Sequence, residues 1–265
     1  MTKKNKGPRV LFLDIETAPI LAYVWGLWEQ NVGLNMIKED WHILSWAAKW
    51  MDEDEIHYDD QRDAKDVEDD KKLLKSLWKL LDEADIIITH NGKHFDQKKI
   101  YARLVINEIE KPSSFKHIDT LEIAKRHFGF TSNKLEHLAE TLKVKYKKEK
   151  HKKYPGFELW EACLLGDQDA WKEMERYNKQ DVLALEAVYE KLIPWSNNAP
   201  NFAVYYEGEE HVCLCGSTQF KKNGFDYTNV GKFQRYKCKS CKKEYKDGKN
   251  LFSKEKRASI KRNVT

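Results

Sequence analysis

No stretch of this 265-residue chain approaches 18 consecutive apolar positions, so nothing in it is a candidate membrane-spanning helix. Nor does the first stretch read as a secretion signal. MTKKNKGPR is basic, but it leads into a strand-like run that contains two acids. The expectation is a cytoplasmic protein. Internal repeats are absent. Neither sign of charge dominates, since 47 Lys and Arg face 43 Asp and Glu. The near-balance is uneven along the chain. From Asn201 onward 15 basic residues stand against 7 acidic ones, which leaves 32 against 36 in the first 200. An acidic body with a basic C-terminal piece fits a negatively charged partner docking at that piece, or a well-solvated surface. Cysteine is scarce, with five in all, and four of them fall between Cys213 and Cys241. Without a secretion signal, that clustering favours a metal over disulfides.

What is present supports a packed core: 41% hydrophobic and 12% aromatic residues. Val10–Ile15, Ile43–Trp50 and Glu55–Tyr58 read as strands in meander, and Val67–Glu83 has leucines at helical spacing. Strands at Asp85–Thr89 and Phe115–Asp119 then alternate with helices at Asp96–Ile109, Thr120–Phe128, Asn133–Leu142, Glu158–Leu165 and Asp169–Leu192. Meander first and alternation afterwards imply an α/β fold with a sheet of mixed direction. The Pro/Asn/Ser-rich stretch Pro194–Asn201 reads as a linker. The expected domains are therefore residues 1–197, 198–250 and a basic, mobile tail at 251–265. Two segments stay open. The tryptophans at 25, 28, 41, 46 and 50 serve core packing or form an exposed partner-binding cluster. The seven lysines within 143–153 form a solvated loop or a track for a substrate strand.

Three short stretches carry candidate chemistry. In VLFLDIET, Asp14 and Glu16 stand two apart on a strand, so they share a face. Like charges side by side raise each other's pKa unless a cation neutralises them. In HNGKHFDQ, an Asn-Gly turn leads from a strand end to Asp96, which either joins the other acids or caps a helix N-terminus. In YNKQD, Tyr177 and Asp181 are four apart on one helix face, either as part of a site or as a surface pair.

Asp-x-Glu on the first strand, His-Asn-Gly-x-x-Phe-Asp in the middle and Tyr-x3-Asp near the end, over residues 8–193, together resemble the DEDD superfamily of 3′–5′ exonucleases. The branch is the tyrosine one, on the ribonuclease H-like fold of polymerase proofreading domains. The resemblance implies that Asp14, Glu16, Asp96 and Asp181 are catalytic carboxylates holding two Mg²⁺ or Mn²⁺, and that Tyr177 orients the attacking water. Hard oxygen donors suit those ions. Thr17, Asn91 and Phe95 become candidate substrate contacts, with Phe95 stacking on a terminal nucleotide or anchoring the helix start. Asp119, in an Asp-Thr pair closing what reads as a central strand, supports the carboxylates without joining them. The resemblance further implies a nucleic-acid substrate, DNA before RNA, and a separate polymerase or replication partner, for a stand-alone nuclease of replication or repair. For a virus-encoded enzyme of this kind, the compartment is the host cytoplasm. Rivals are an exoribonuclease of the same fold and a nucleic-acid-binding protein with a non-catalytic nuclease domain.

HVCLCGSTQF through RYKCKSCKKEY holds Cys-x-Cys and Cys-x2-Cys around a hairpin expected at Gln219–Asp226 and Lys232–Lys237. This resembles zinc ribbons, with Cys213, Cys215, Cys238 and Cys241 as ligands of one structural Zn²⁺. The first knuckle is one residue short, so His211 is the alternative to Cys213. Interleaved lysines and aromatics there fit holding nucleic acid, or protein docking. Cys163, beside two leucines, reads as core.

Overall fold

The structure, a computed structural model, describes residues 7–146, 153–208 and 211–261. Most of the lysine run lies outside those residues. The chain divides into two compact units: Pro8–Tyr189, and Glu190–Thr265 together with Met1–Gly7. The division falls inside a long helix, a few residues before the stretch expected as the linker.

The larger unit opens with β1 (Val10–Thr17), a short ribbon of β2 (Leu21–Ala22) and β3 (Ile37–Glu39), then β4 (Ile43–Trp50) and β5 (Ile56–Asp60). It continues through α1 (Lys71–Glu83), β6 (Ile86–Thr89), α2 (Asp96–Ile106), β7 (Lys116–Asp119), α3 (Thr120–His127), α4 (Leu135–Thr141), α5 (Glu158–Leu164) and α6 (Gln168–Leu192). The main sheet has the order β5-β4-β1-β6-β7. β1, β4 and β5 form the expected antiparallel meander, while β6 and β7 run parallel to β1. This is the α/β fold with a mixed sheet and flanking helices that the sequence implies. β7 is an edge strand, so the Asp-Thr pair closes an edge and not the centre of the sheet.

β1 is central, and its side chains divide by parity. Leu11, Leu13 and Ile15 join Leu73, Leu74, Leu77 and Leu81 of α1 and Ile100 and Leu104 of α2 in one buried cluster. The opposite face turns toward α6, where the Phe12 ring meets Tyr189 edge-on at 5.5 Å between centroids. Asp14 and Glu16 have the parity of Phe12. The hydrophobic pattern of β1 therefore fixes which helix the acids meet, because a one-residue slip would invert both faces.

Helix α1 begins at Lys71, four residues later than the leucine spacing suggested. Asp70 is fully buried and its carboxylate is committed elsewhere: it accepts from Ile43 N and, bidentately, from Arg103 at 2.7 and 2.8 Å. Two of the five tryptophans, Trp46 and Trp50, are core. Trp25 and Trp28 are not, so core packing accounts for only part of that segment.

The smaller unit holds β8 (Phe220–Thr228), β9 (Gly231–Cys238) and β10 (Glu244–Asn250) in the order β10-β9-β8, followed by α7 (Lys254–Ser259). β8 and β9 are the expected hairpin. β10 was not expected from the sequence, because EYKDGKN has almost no apolar content. α7 lies within the stretch expected as a mobile tail, and its start is capped by Ser253, whose hydroxyl accepts from Lys256 N.

Candidate active site

The carboxylates of Asp14, Glu16 and Asp181 converge, with one oxygen of each lying within 4.8 Å of the others. The first two come from the α6-facing side of β1, and the third from α6 itself. Each receives a neutral donor. Asn178 Nδ2 donates to Asp14 Oδ2 at 2.6 Å, Trp160 Nε1 donates to Glu16 Oε2 at 3.1 Å, and the Tyr177 hydroxyl bonds to Asp181. Hydrogen bonds from neutral groups orient a carboxylate without cancelling its charge. Three like charges so close repel one another unless a cation or a shared proton compensates them. Three hard oxygen donors fit Mg²⁺ or Mn²⁺ better than a soft or imidazole-seeking metal.

The helix supplies more than its acid. Asn178 has no exposed surface, and its Oδ1 accepts from Ser45 Oγ at 3.1 Å, which ties the Asp14 contact back to β4. Trp160, on α5, packs its ring edge-on against Tyr177 at 5.8 Å. Burial, and then the charges of Glu16, Asp181 and Asp14, push the Tyr177 hydroxyl well above the usual tyrosine range. In the absence of a cation the hydroxyl therefore keeps its proton beside Asp181.

Asp96 stands apart from this trio. It occupies the first turn of α2, yet its side chain does not cap the helix. Its Oδ1 accepts from Ile15 N, between the two acids of β1, at 3.2 Å. Burial pushes its pKa up to about 7, with the charge of Asp119 adding to the rise, while N–H donors of its own backbone and Ile15 oppose it. The structure thus brings three of the four candidate acids together and ties the fourth to the backbone between two of them.

Asp119 organises the turn before α2. It accepts from Asn91 N at 2.9 Å, Lys93 N at 3.2 Å and Leu121 N at 2.9 Å. Asn91 sits at φ 70°, the left-handed region that asparagine tolerates. Gly92 is required by proximity: a Cβ there would come 2.3 Å from Thr89 Oγ1. His90 bonds to Thr120 Oγ1 and the Asn133 carbonyl, so it supports the turn. Phe95 precedes α2 with 39% of its surface exposed, and Thr17 lies at a register break in the β1–β4 ladder. Both stay accessible for contact.

Sequence reading missed Trp160 and Asn178. Asn178 left a signal: it sits in the apolar stripe Trp171, Met174, Val182, Leu185, and a polar residue at a core position needs a partner. Trp160 left none, since it reaches Glu16 from 144 residues away in sequence.

In the smaller unit, the sulfurs of Cys213, Cys215, Cys238 and Cys241 lie within 4.8 Å of one another. Cys213 and Cys241 are 3.4 Å apart, and Cys215 and Cys238 are 3.8 Å apart. A tetrahedral zinc with Zn–S bonds of about 2.3 Å separates its sulfurs by about 3.8 Å, so the cluster fits a zinc ribbon. Burial would raise the Cys238 thiol, but backbone N–H donors from Cys241 and Ser240 bring it down to about 7, while burial pushes the Cys213 thiol up to about 11 and Cys241 higher still, so without a cation the four are not all thiolates. His211 packs its ring between Phe220 and Tyr245, at 4.8 and 4.6 Å. It is not among the clustered groups. Tyr245 in turn donates to Cys213 Sγ at 3.1 Å. Cys163 is buried in the larger unit.

Comparison with known proteins places residues 37–193 in a match to a family model described as the RNase_H superfamily. No curated protein matches the chain. Among solved structures, it is similar to the family B DNA polymerase from the hyperthermophilic archaeon Pyrobaculum calidifontis. The identity is 17% and the TM-score 0.50, over 72% of this chain and 25% of that one. The match thus spans about a quarter of the polymerase. Among the described residues, no helix is long and apolar enough to cross a membrane.

Proposed function

The chain belongs to the RNase_H superfamily, and from that premise we propose that it is a metal-dependent 3′–5′ exonuclease acting on single-stranded DNA ends. The observation that carries this reading is the convergence of Asp14, Glu16 and Asp181, with the Tyr177 hydroxyl set on Asp181. Bound Mg²⁺ or Mn²⁺ would activate a water for attack on the scissile phosphate and stabilise the charge on the leaving oxygen. Asp14, Glu16 and Asp181 would hold the ions, with Asp96 assisting from the far side of β1. Asn178 and Trp160 fix which oxygens of Asp14 and Glu16 face inward. Tyr177 keeps its proton and orients water by hydrogen bonding, as the motif resemblance implies. Alignment with part of a DNA polymerase supports DNA as the substrate and a replication role beside a separate polymerase. A zinc ribbon of basic character would hold the nucleic acid.

The test is a labelled-substrate assay. Single strands labelled at the 5′ end should shorten one nucleotide at a time with Mg²⁺. A blocked 3′ end should protect them, and circular strands should survive. Asp181→Ala should abolish cleavage with the fold retained. Faster removal from RNA would assign the enzyme to RNA ends instead. Undiminished cleavage by Asp181→Ala, free of contaminating nuclease, would sink the reading. Cleavage of circles would make it an endonuclease.

A further inference from the structure

The three-stranded sheet of the smaller unit sorts its side chains onto two unlike faces. β9 is an unbroken strand, so Lys232, Gln234, Tyr236 and Cys238 share one face. Their partners on β8 are Tyr227, Phe225, Lys222 and Phe220, and Tyr245 of β10 stands opposite Tyr236. This alignment depends on a register shift in β8 between Lys222 and Phe225, around Gly224 at φ 70°. The extra residue of that bulge puts Phe225 and Tyr227 on the face of Lys222. In unbroken pleating they would lie on the face of Lys221.

The two ends of this face differ. Toward the cysteines, the rings of Phe220, Tyr245 and His211 pack on one another, with centroids 4.6 to 5.6 Å apart. That end is the ribbon's own core. At the other end the rings are open: Tyr227 is 65% exposed and Phe225 39%. Lys222 is exposed there, and Tyr236 is half-buried. Lys232 Nζ lies 3.9 Å from the Phe225 ring centroid and 5.9 Å from that of Tyr227. Among the described residues, no acid stands at a paired position of this face. The reverse face has cations too, but they meet acids. Lys246 pairs with Asp226 at 3.1 Å, and Arg235 and Lys237 each approach Glu244 at 3.6 Å.

We propose that the open end of this face binds single-stranded nucleic acid, with bases on Phe225 and Tyr227 and backbone phosphates on Lys222 and Lys232. The proposal rests on the reading above of the ribbon as the part that holds nucleic acid, and it adds the face and the form of the strand. Rings interleaved with cations hold single strands without sequence preference, and exposed aromatics on a sheet face stack bases. Cations with no acid facing them suit a polyanion. A protein partner fits less well, because protein interfaces are depleted in lysine and both cations here are lysines. Phe225 and Tyr227 are two residues apart on a strand, about 6.8 Å. That is twice the rise of about 3.4 Å per nucleotide in a stacked strand. Successive bases must therefore part to reach both rings, which a single strand does more readily than a duplex.

The experiment measures binding by fluorescence anisotropy, using the full chain with zinc left bound and calcium in place of magnesium. The probes are a 5′-fluorescein oligothymidylate with phosphorothioate linkages at its 3′ end, and a blunt duplex carrying the same strand. Phe225→Ala combined with Tyr227→Ala should weaken binding to the single strand about tenfold or more, with the dependence on salt unchanged and little loss on the duplex. Phe225→Tyr combined with Tyr227→Phe keeps both rings and should bind like wild type. Lys222→Ala combined with Lys232→Ala should lower the slope of log affinity against log salt by about 1.4, at about 0.7 for each phosphate contact on a single strand. Lys221→Ala combined with Lys237→Ala, on the reverse face, should leave that slope near wild type. Retained zinc and unchanged circular dichroism are expected in every variant. Wild-type affinity in the double alanine ring variant would overturn the proposal and leave the face to a protein partner. An equal drop in slope from either lysine pair would reduce the ribbon to a diffuse basic surface and overturn it as well. An equal loss on the duplex would overturn the single-strand assignment. The nuclease reading fails separately: binding that depends on the rings, with no magnesium-dependent cleavage of an unmodified strand by wild type, removes the exonuclease alone. Cleavage by wild type, with unchanged binding by the ring variant, removes the binding face alone.

Discussion

Asn178→Asp is the substitution that tests the candidate site most directly. It keeps the shape of a fully buried side chain and exchanges an N–H donor for an anionic oxygen 2.6 Å from Asp14 Oδ2. The Ser45 hydroxyl keeps an acceptor, so the loss falls on the Asp14 contact. A hydrogen bond to a charged acceptor is worth about 1.5–3 kcal/mol. The new carboxylate also faces Asp14 with Glu16 and Asp181 near, and such a pair does not ionise fully. The folded variant should therefore hold a shared proton that its unfolded chain has released. Between about pH 4 and 8 the folded form then binds more protons, so its stability falls as pH rises. The expected cost is on the order of 2–4 kcal/mol at pH 8 without magnesium or manganese, and most of it should be recovered at pH 5. Manganese should restore stability at pH 8, because the added oxygen is one more ligand. Urea midpoints at both pH values, compared at constant m, read this out. A variant whose midpoint follows wild type at pH 5 and pH 8 would refute the Asn178–Asp14 contact.

Three further outcomes are expected. Trp160→Phe keeps a ring against Tyr177 but removes the N–H to Glu16; manganese binding, followed by titration calorimetry, should weaken about tenfold. Asp96 is raised by burial from 3.8 to about 7, so the folded state holds a proton that the unfolded state has lost. Its stabilising contribution is complete below about pH 4 and is lost as pH rises through about 7, a change on the order of 4 kcal/mol. Asp96→Asn should flatten that part of the thermal stability profile measured without divalent cations, and an unchanged profile would show that Asp96 is not the group. Stripping zinc with a chelator, or Cys238→Ser, should unfold β8–β10. Amide exchange should then quicken there and stay slow in β1 and β4.

Much of the larger unit was legible because its signals are local. The apolar run of β1 and the leucine spacing of α1 specify elements, and two acids two apart on a strand must share a face. Tyr177 and Asp181 follow from helical periodicity in the same way. The four cysteines were legible as a set, since their clustering in sequence is itself the signal. What escaped was set by tertiary contact. Trp160 reaches Glu16 from a distant helix, and the carboxylate of Asp70, at the start of α1, binds Arg103 instead of capping the helix. Asp96 read as a helix cap or, by resemblance, a fourth catalytic carboxylate, and its bond to Ile15, a partner 81 residues earlier, was in neither reading. The tryptophans show the limit of composition: Trp46 and Trp50 lie on a strand with a buried face, while Trp25 and Trp28 lie on an arm with none. Residue type alone does not separate the two pairs.

That separation has an optical consequence. Trp25 and Trp28 emit from water, as does the exposed Trp195, while Trp46, Trp50 and Trp171 emit from the core. The intrinsic fluorescence of the chain should therefore run from a red-shifted population open to collisional quenchers to a blue-shifted one closed to them, with the half-buried Trp41, Trp78 and Trp160 between the two. Acrylamide should remove the red component first, and replacing Trp195 with phenylalanine should leave the arm as the principal source of that component. Anything that settles on the arm would then shift the emission to the blue and shield it from the quencher, with no label attached.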